Sequence, residues 1–321
     1  MANWVSYELF FMRQAFAEEI LAQAEAVDNV ALLSGDIGNR MFDTFKDRHG
    51  ERFFNCGVAE ANMTGVSAGL AMAGFRPVSY TITAFATVRC LEQIRIDLCY
   101  HNLPVTLVGV GGGLGYANLG YTHHATEDIA LLRALPNMTV LCPGDAFEVK
   151  GAMRAALAHD GPVFIRLGKK GEPKVHSAVP DFKIGEAIEL SDGTDVCLLA
   201  VGTVLPEVRD AAKILNGHGI SARVASFPSV KPMDIDYLAG AFEETRLVVS
   251  IEEHSLVGGA GSAIAEWLAD GPIRRARLLR IALPDAIFGE AGSPEYARER
   301  LGLTAEKIAA RVAKSFAALG R

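Results

Sequence analysis

Short apolar runs rich in β-branched residues recur along this chain at 30–34, 105–110, 163–167, 196–201 and 247–251. They are apolar along their whole length rather than at alternate positions, as strands of a parallel sheet buried on both faces are. Further strands are expected at 52–56, 78–83, 139–142, 222–226 and 277–282. Stretches with helical spacing fall between them, at 9–27, 87–100, 129–134, 146–159, 205–217, 259–268 and 304–318. Strands alternating with helices predict an α/β fold of parallel sheets covered on both faces.

The chain has 321 residues, which suits two domains better than one. The stretch 168–183 carries Gly, Pro, Lys and Ser and reads as an interdomain connection. The expected division is a first parallel-sheet domain at 1–170, a linker at 171–185 and a second at 186–321. Acidic residues (38) outnumber basic ones (31), giving a net charge of −7. That balance argues against broad nucleic-acid binding, which needs a basic face, but leaves room for a locally basic anion site. Cys56, Cys90, Cys99, Cys142 and Cys197 are scattered without CxxC spacing, so reduced thiols of a cytoplasmic protein are expected rather than zinc ligands or disulfides. The first residues, Met-Ala-Asn-Trp-Val-Ser, show no basic segment leading into an apolar one, and no apolar run reaches membrane-spanning length. No membrane association is expected.

Three features stand out against this frame. Glu60 follows the short run 53–56 and opens a stretch of small residues at 65–74, which places a carboxylate at a strand-to-helix junction, where α/β proteins put ligand-binding groups. The segment 111–124 is a long glycine-rich loop, and loops of that length are usually functional. Gly258, Gly259 and Gly261 open a helix, where they either cradle an anion or let the helix pack closely on its sheet; close packing is the favoured reading.

Several of these stretches resemble the transketolase family, including its relative 1-deoxyxylulose-5-phosphate synthase. Gly57-Val58-Ala59-Glu60-Ala61-Asn62-Met63 is similar to that family's Gly-Ile-Arg-Glu-His-Ala-Met. Gly120-Tyr121-Thr122-His123-His124 is similar to its Gly-Pro-Thr-His-Gln or Thr-His-His. The run 135–145 and, later, Glu252-Glu253-His254-Ser255-Leu256-Val257-Gly258-Gly259-Ala260-Gly261-Ser262 extend the likeness over nearly the whole chain. The resemblance implies a thiamine-diphosphate pyrimidine-binding domain followed by a transketolase C-terminal domain, and transfer of a two-carbon ketol unit between a ketose and an aldose, as their phosphates or free. The alternatives it leaves are the β-subunit of a 2-oxo acid dehydrogenase E1-like decarboxylase and a 1-deoxyxylulose-5-phosphate synthase-like enzyme.

Family members hold the cofactor diphosphate through a metal bound at Gly-Asp-Gly and a later asparagine, and no Gly-Asp-Gly occurs in this chain. The resemblance therefore implies a split enzyme. An N-terminal partner subunit would carry the diphosphate and the metal, Mg2+ or alternatively Ca2+ or Mn2+, in an α2β2 assembly.

The resemblance also assigns residues. Glu60 would hydrogen-bond a nitrogen of the aminopyrimidine ring and favour the tautomer that takes the thiazolium proton. A carboxylic acid in apolar surroundings has its neutral form favoured, which suits such proton sharing. Phe85 would be the shelf beneath the ring. Asp36 would lie near the thiazolium, or else be a turn aspartate bonding its own backbone, and Ile37 would touch the cofactor. Arg89 is either a site residue or a partner of Glu92. His123 would contact the substrate and move protons on its hydroxyls, as an imidazole titrating near neutrality can. His124 is either beside it in the site or a neighbour of Asp128. Arg13 would hold the substrate phosphate, together with Arg166 or Lys169 at the end of the run 163–167. Leu119 stands where transketolases carry an aspartate that reads a sugar hydroxyl, and Gly111 where they tend to carry a histidine. Losing a buried hydroxyl-reading acid should weaken recognition of the usual sugar phosphates, which points to a branched, shortened or otherwise unusual one.

Overall fold

The structure is a computed structural model that describes residues 11–38 and 40–320. Residues 9 and 10 of the expected first helix, the opening residues read for a leader, and Asn39 lie outside the described residues. The first part of the chain supplies β1 (Val30–Ser34), β2 (Phe53–Asn55), β3 (Arg76–Ile82), β4 (Thr106–Val110), β5 (Thr139–Leu141) and β6 (Val163–Leu167). After them come β7 (Ile188–Ser191), β8 (Val196–Val201), β9 (Ala222–Ser226), β10 (Ser229–Lys231), β11 (Leu247–Ser255) and β12 (Arg277–Leu283). Two sheets result, with strand orders β10-β5-β6-β4-β3-β1-β2 and β12-β11-β8-β9-β7. Every pairing is parallel except β10 on β5 and β7 on β9, the antiparallel edges of the two sheets. The expected α/β architecture of two parallel sheets is the one observed.

The uniformly apolar runs account for this arrangement. All residues of β1, β4, β6 and β8 are buried. Strands covered on both faces need helices on both faces. Helices Met12–Ala26 and Ala146–Ala158 pack together over one side of the first sheet, with Met12, Phe16, Val149 and Met153 meeting Leu32, Val78, Val108 and Ile165. A second apolar cluster runs from Leu107, Val140 and Phe164 to Leu199, Phe227 and Val248, so the two sheets share core. Each such side chain, fully buried, contributes about 1.5–3 kcal/mol.

Sequence reasoning missed the helices Asp43–His49, Ile235–Glu244 and Pro294–Leu301 and the strands β7 and β10. Two differences bear on the site. The helix expected at 87–100 starts earlier and is broken into an α-turn at Thr83–Thr87, a tighter turn at Val88–Cys90, Leu91–Gln93 and a widened run at Ile94–Tyr100. Irregular helical turns of this kind often mark functional sites. The strand expected at 247–251 continues to Ser255, because its last residues bond to the first domain.

The connection between the domains is anchored. Asp145 caps helix Ala146–Ala158 by accepting from Phe147 N and Glu148 N at 2.9 Å through one oxygen. Its other oxygen accepts from Val175 N and His176 N. Buried Glu148 accepts from Gly144 N and Ser226 Oγ and meets His176 Nε2 at 2.8 Å. Burial opposes the His176 charge, but Glu148 outweighs it and raises the imidazole pKa.

Candidate active site

In parallel α/β sheets ligands bind at the carboxyl ends of the strands, and five neighbouring strands of the first sheet each deliver a candidate there. After β1 comes Asp36, after β2 Glu60, after β3 Phe85 and Arg89, after β4 the loop with His123, and after β6 Lys169. The strand ends are in register: Ser34 sits beside Tyr80 and Asn55, Ile82 beside Val110, and Val110 beside Leu167.

Glu60 begins helix Glu60–Met72 and is 2% exposed. Its place in the first turn suits a negative charge. Arg89 Nη1 donates to its Oε2 at 2.8 Å, while the same guanidinium lies 4.2 Å above the Phe85 ring. Arg89 thus pairs with Glu60 and not Glu92, which pairs with Arg95. The Thr81 hydroxyl lies buried without a partner, close to Gly35 and the Glu60 side chain. An aromatic face and a buried carboxyl group thus stand side by side, an arrangement that suits a flat heterocycle able to stack on one and hydrogen-bond the other. Arg89 makes both contacts here, and at 47% side-chain exposure it is free to give way.

Asp36 has a left-handed backbone (φ 58°) and accepts from Asn55 Nδ2 at 3.0 Å, tying the ends of β1 and β2 together. Ile37 is half-buried, and its N–H and carbonyl both bond Ser34 Oγ. Among the described residues no three His, Cys, Asp or Glu side chains cluster as a metal site would require. Nor is any described helix long and apolar enough to cross a membrane.

The loop after β4 folds on itself. Gly113 and Ala125 exchange both backbone hydrogen bonds at 2.9 Å, closing it at its base. Gly111 must be glycine, because a Cβ would collide with the Tyr116 ring that the loop folds back over it. Gly113 has φ 61°, and a Cβ there would strike Glu253 of the second domain. The loop presents His123 between Phe85 (ring centroids 5.1 Å apart) and Tyr116 (6.1 Å). His123 Nδ1 meets Thr122 Oγ1 at 2.9 Å. Leu119 and Tyr121 stay exposed beside it.

His124 points elsewhere. It is buried against Tyr121 and Phe288, bonds the Ala117 backbone, and leaves Nε2 without a partner. Burial lowers its pKa. The neighbour proposed for it, Asp128, pairs instead with Arg166.

The structure separates the two cations at the end of β6. Arg166 is 3% exposed and two of its nitrogens are committed: Nε to Asp128 Oδ2 at 2.7 Å, and Nη2 to Asp128 Oδ1 and to the carbonyls of Ala125 and Glu253. Burial works against its charge, and Asp128 more than offsets it. Arg166 is a buried strut that ties Asp128 to two backbone carbonyls. Lys169 is partly exposed, donates to Asn118 Oδ1 and lies 4.4 Å over the Tyr116 ring. Burial, then the nearby charge of Arg13, lowers its pKa. Arg13 in turn donates to Tyr80 Oη at 2.9 Å. Neither Arg13 nor Lys169 has a carboxylate partner among the described residues, and two adjacent unpaired cations attract an anion.

The glycine-rich helix start of the second domain is not an open anion site. Glu252 fills it, accepting from Ala260 N and Gly261 N at 2.8 Å. The cysteines are free thiols, all buried but Cys56, and burial pushes those of Cys90 and Cys99 up to about 11, away from reactivity.

A carboxylate, an aromatic ring, an imidazole and two cations are ranged along the carboxyl edge of a parallel sheet, where α/β enzymes bind their ligands. Residues 10–173 match the family model of the transketolase pyrimidine binding domain, and 185–308 that of the transketolase C-terminal domain. The chain belongs to the transketolase family, as a subunit of a thiamine-diphosphate-dependent, transketolase-type transferase. It is 36% identical to the 6-deoxy-6-sulfo-D-fructose transketolase subunit of Clostridium sp. (strain MSTE9), over 95% of this chain and 94% of that protein. It is 34% identical to an apulose-4-phosphate transketolase subunit of Phocaeicola vulgatus, over 87% and 90%. A solved split-gene transketolase, described as an inactive β4 tetramer, superimposes with a TM-score of 0.88 at 36% identity, over 96% of this chain and 99% of that one.

Proposed function

We propose that this chain is the pyrimidine-binding half of a two-chain transketolase whose substrates are sugars ending in an anionic group, other than the common pentose phosphates. The observation that carries this reading is the buried Glu60 side chain beside Phe85, with the half-exposed Arg89 guanidinium on both. Thiamine diphosphate, when bound, supplies the nucleophilic carbon that accepts the ketol unit. Glu60 would hydrogen-bond a ring nitrogen of the pyrimidine and share a proton with it. Phe85 would be the shelf for that ring, and Asp36 and Ile37 would border the cofactor. His123, fixed between two rings, holds a substrate hydroxyl and moves its proton. Lys169 and Arg13 take the terminal anion, phosphate or sulfonate, as charges rather than as a fitted fork. Leu119, exposed at the mouth, offers a sugar hydroxyl no partner.

The diphosphate and its divalent cation then belong to an N-terminal partner chain, and the assembly is α2β2. The partner has a surface to meet. Val58 before helix Glu60–Met72, Val66 and Met72 on it, and Val88 and Ile96 in the helical turns after β3 are exposed, and residues 61–75 carry no charge. The two relatives described as subunits support a partner chain, and the 6-deoxy-6-sulfo-D-fructose and apulose-4-phosphate in their names support an unusual substrate. The test is to co-express the chain with an N-terminal transketolase subunit that carries Gly-Asp-Gly and a later asparagine, then measure ketol transfer. Transfer by the pair and none by this chain alone is the expected result. Full activity of this chain by itself would overturn the split.

A further inference from the structure

The second domain supplies none of the groups assigned to the chemistry, yet it holds the loop that presents His123. Residues 253–255 of β11 run past the end of β8 and reach the first domain, while Ser255 stays paired with Leu283 of β12. Ser255 N donates to the Thr126 carbonyl at 2.8 Å, and Ala130 N approaches His254 Nε2 at 3.3 Å. Glu253, 1% exposed, lies against Gly113 at the base of the loop. Its Oε1 accepts from Leu114 N at 2.6 Å, and its carbonyl accepts from Arg166. Arg166 also bonds the Ala125 carbonyl, so both ends of the loop meet at Glu253. The second carboxylate oxygen is gripped by Arg298 Nε at 2.5 Å, and Arg298 reaches on to Thr203. This is fixation of the loop by the second domain. It is applied two residues before Tyr116, the ring that flanks His123 and carries Lys169.

We propose that Glu253, braced by Arg298, is a positioning residue for His123, so that the second domain contributes to catalysis through the loop 111–124. This rests on the proposed role of His123 in holding a substrate hydroxyl and moving its proton. Small displacements of a reacting group cost large factors in rate, about a hundredfold for about 1 Å. Glu253→Gln keeps the shape and the bond to Leu114 but loses the ionic hold of Arg298.

The experiment is a double-mutant cycle in the reconstituted two-chain holoenzyme with Glu253→Gln, His123→Ala and both. Glu253→Gln should lower kcat/KM for ketol transfer about tenfold with His123 present and less than about twofold in the His123→Ala background. Deuterium exchange of the amides at 111–124 should rise while exchange in the first sheet does not. Arg298→Gln should reproduce the cycle, and Arg298→Lys should restore most of the activity; these variants carry the test if Glu253→Gln does not assemble. Equal loss in both backgrounds, or no loss in folded protein, would overturn the positioning role while leaving the site intact. A His123→Ala complex as active as the unsubstituted one would remove both the role of His123 and the inference built on it.

Discussion

Arg89 donates to the Glu60 carboxylate at 2.8 Å from 4.2 Å over the Phe85 ring, so one guanidinium meets both the acid and the ring. Cofactor and Arg89 then compete for the same two contacts. Removing Arg89 clears the site, at the cost of leaving the buried acid of the free chain without its cation. Arg89→Ala should lower the melting temperature of the free chain by a few degrees, an effect on the order of 1 kcal/mol. It should not lower that of the cofactor-loaded complex. Scanning fluorimetry with and without thiamine diphosphate reads both, and an equal drop in the two states would show that no exchange takes place.

Glu60→Gln keeps the size of the side chain and removes its acid. Turnover in the assembled complex should fall by at least about a hundredfold, the scale of a lost proton-transfer group. Exchange of the thiazolium C2 proton, followed by NMR, should slow with it, and assembly with the partner chain should be unchanged. Normal exchange in this variant would refute the role of Glu60.

The strand cores and the placement of Glu60 were legible in the sequence, because uniformly apolar runs and a carboxylate at a strand-to-helix junction are local signals. β1, β6, β8 and β9 have the expected bounds. The partners of charged residues were not legible. Arg89 has Glu92 three residues away but pairs with Glu60, 29 positions back along the chain. Arg166 reads as one cation at a strand end, yet Asp128 and the carbonyls of Ala125 and Glu253 close around it from 38, 41 and 87 positions away. β10 joins the first sheet from within the second half of the chain, with a three-residue pattern too short to announce itself. The Glu-Glu-His end of β11 reads as polar and is buried, because its partners come from both domains: Glu252 caps a helix of its own domain, Glu253 joins Arg298 to Leu114 of the first, and His254 meets Ala130 of the first.

His176 ties the interdomain connection to Glu148. Its pKa is raised in the fold, so the protonated form is favoured there. The stability it contributes is fully present below the unfolded imidazole value of about 6.5 and is lost as pH rises through the folded value. Thermal melts of the chain should show a decline of a few degrees across mildly acidic to mildly alkaline pH, on top of the background from other groups. His176→Gln should flatten that part of the curve. The same slope in His176→Gln would assign the dependence elsewhere.

Lys169 and Arg166 stand three residues apart and should fail in different ways. Lys169 reaches the mouth of the site from beside Tyr116 and Arg13, with no carboxylate to hold it among the described residues. Lys169→Ala should raise KM for phosphate- or sulfonate-terminated sugars about tenfold, the scale of one charge-assisted contact, with kcat and melting temperature little changed. Arg166→Ala instead strands Asp128, which is 1% exposed and loses its ion-pair partner. That should cost about 3–5 kcal/mol of stability, visible as a lower midpoint in urea. Arg166→Lys should recover only part of it, because an ammonium cannot span Asp128 and two carbonyls from a single plane. Measuring KM and unfolding midpoints on the same three variants separates the roles. A stable Arg166→Ala protein with a raised KM would return the anion site to Arg166.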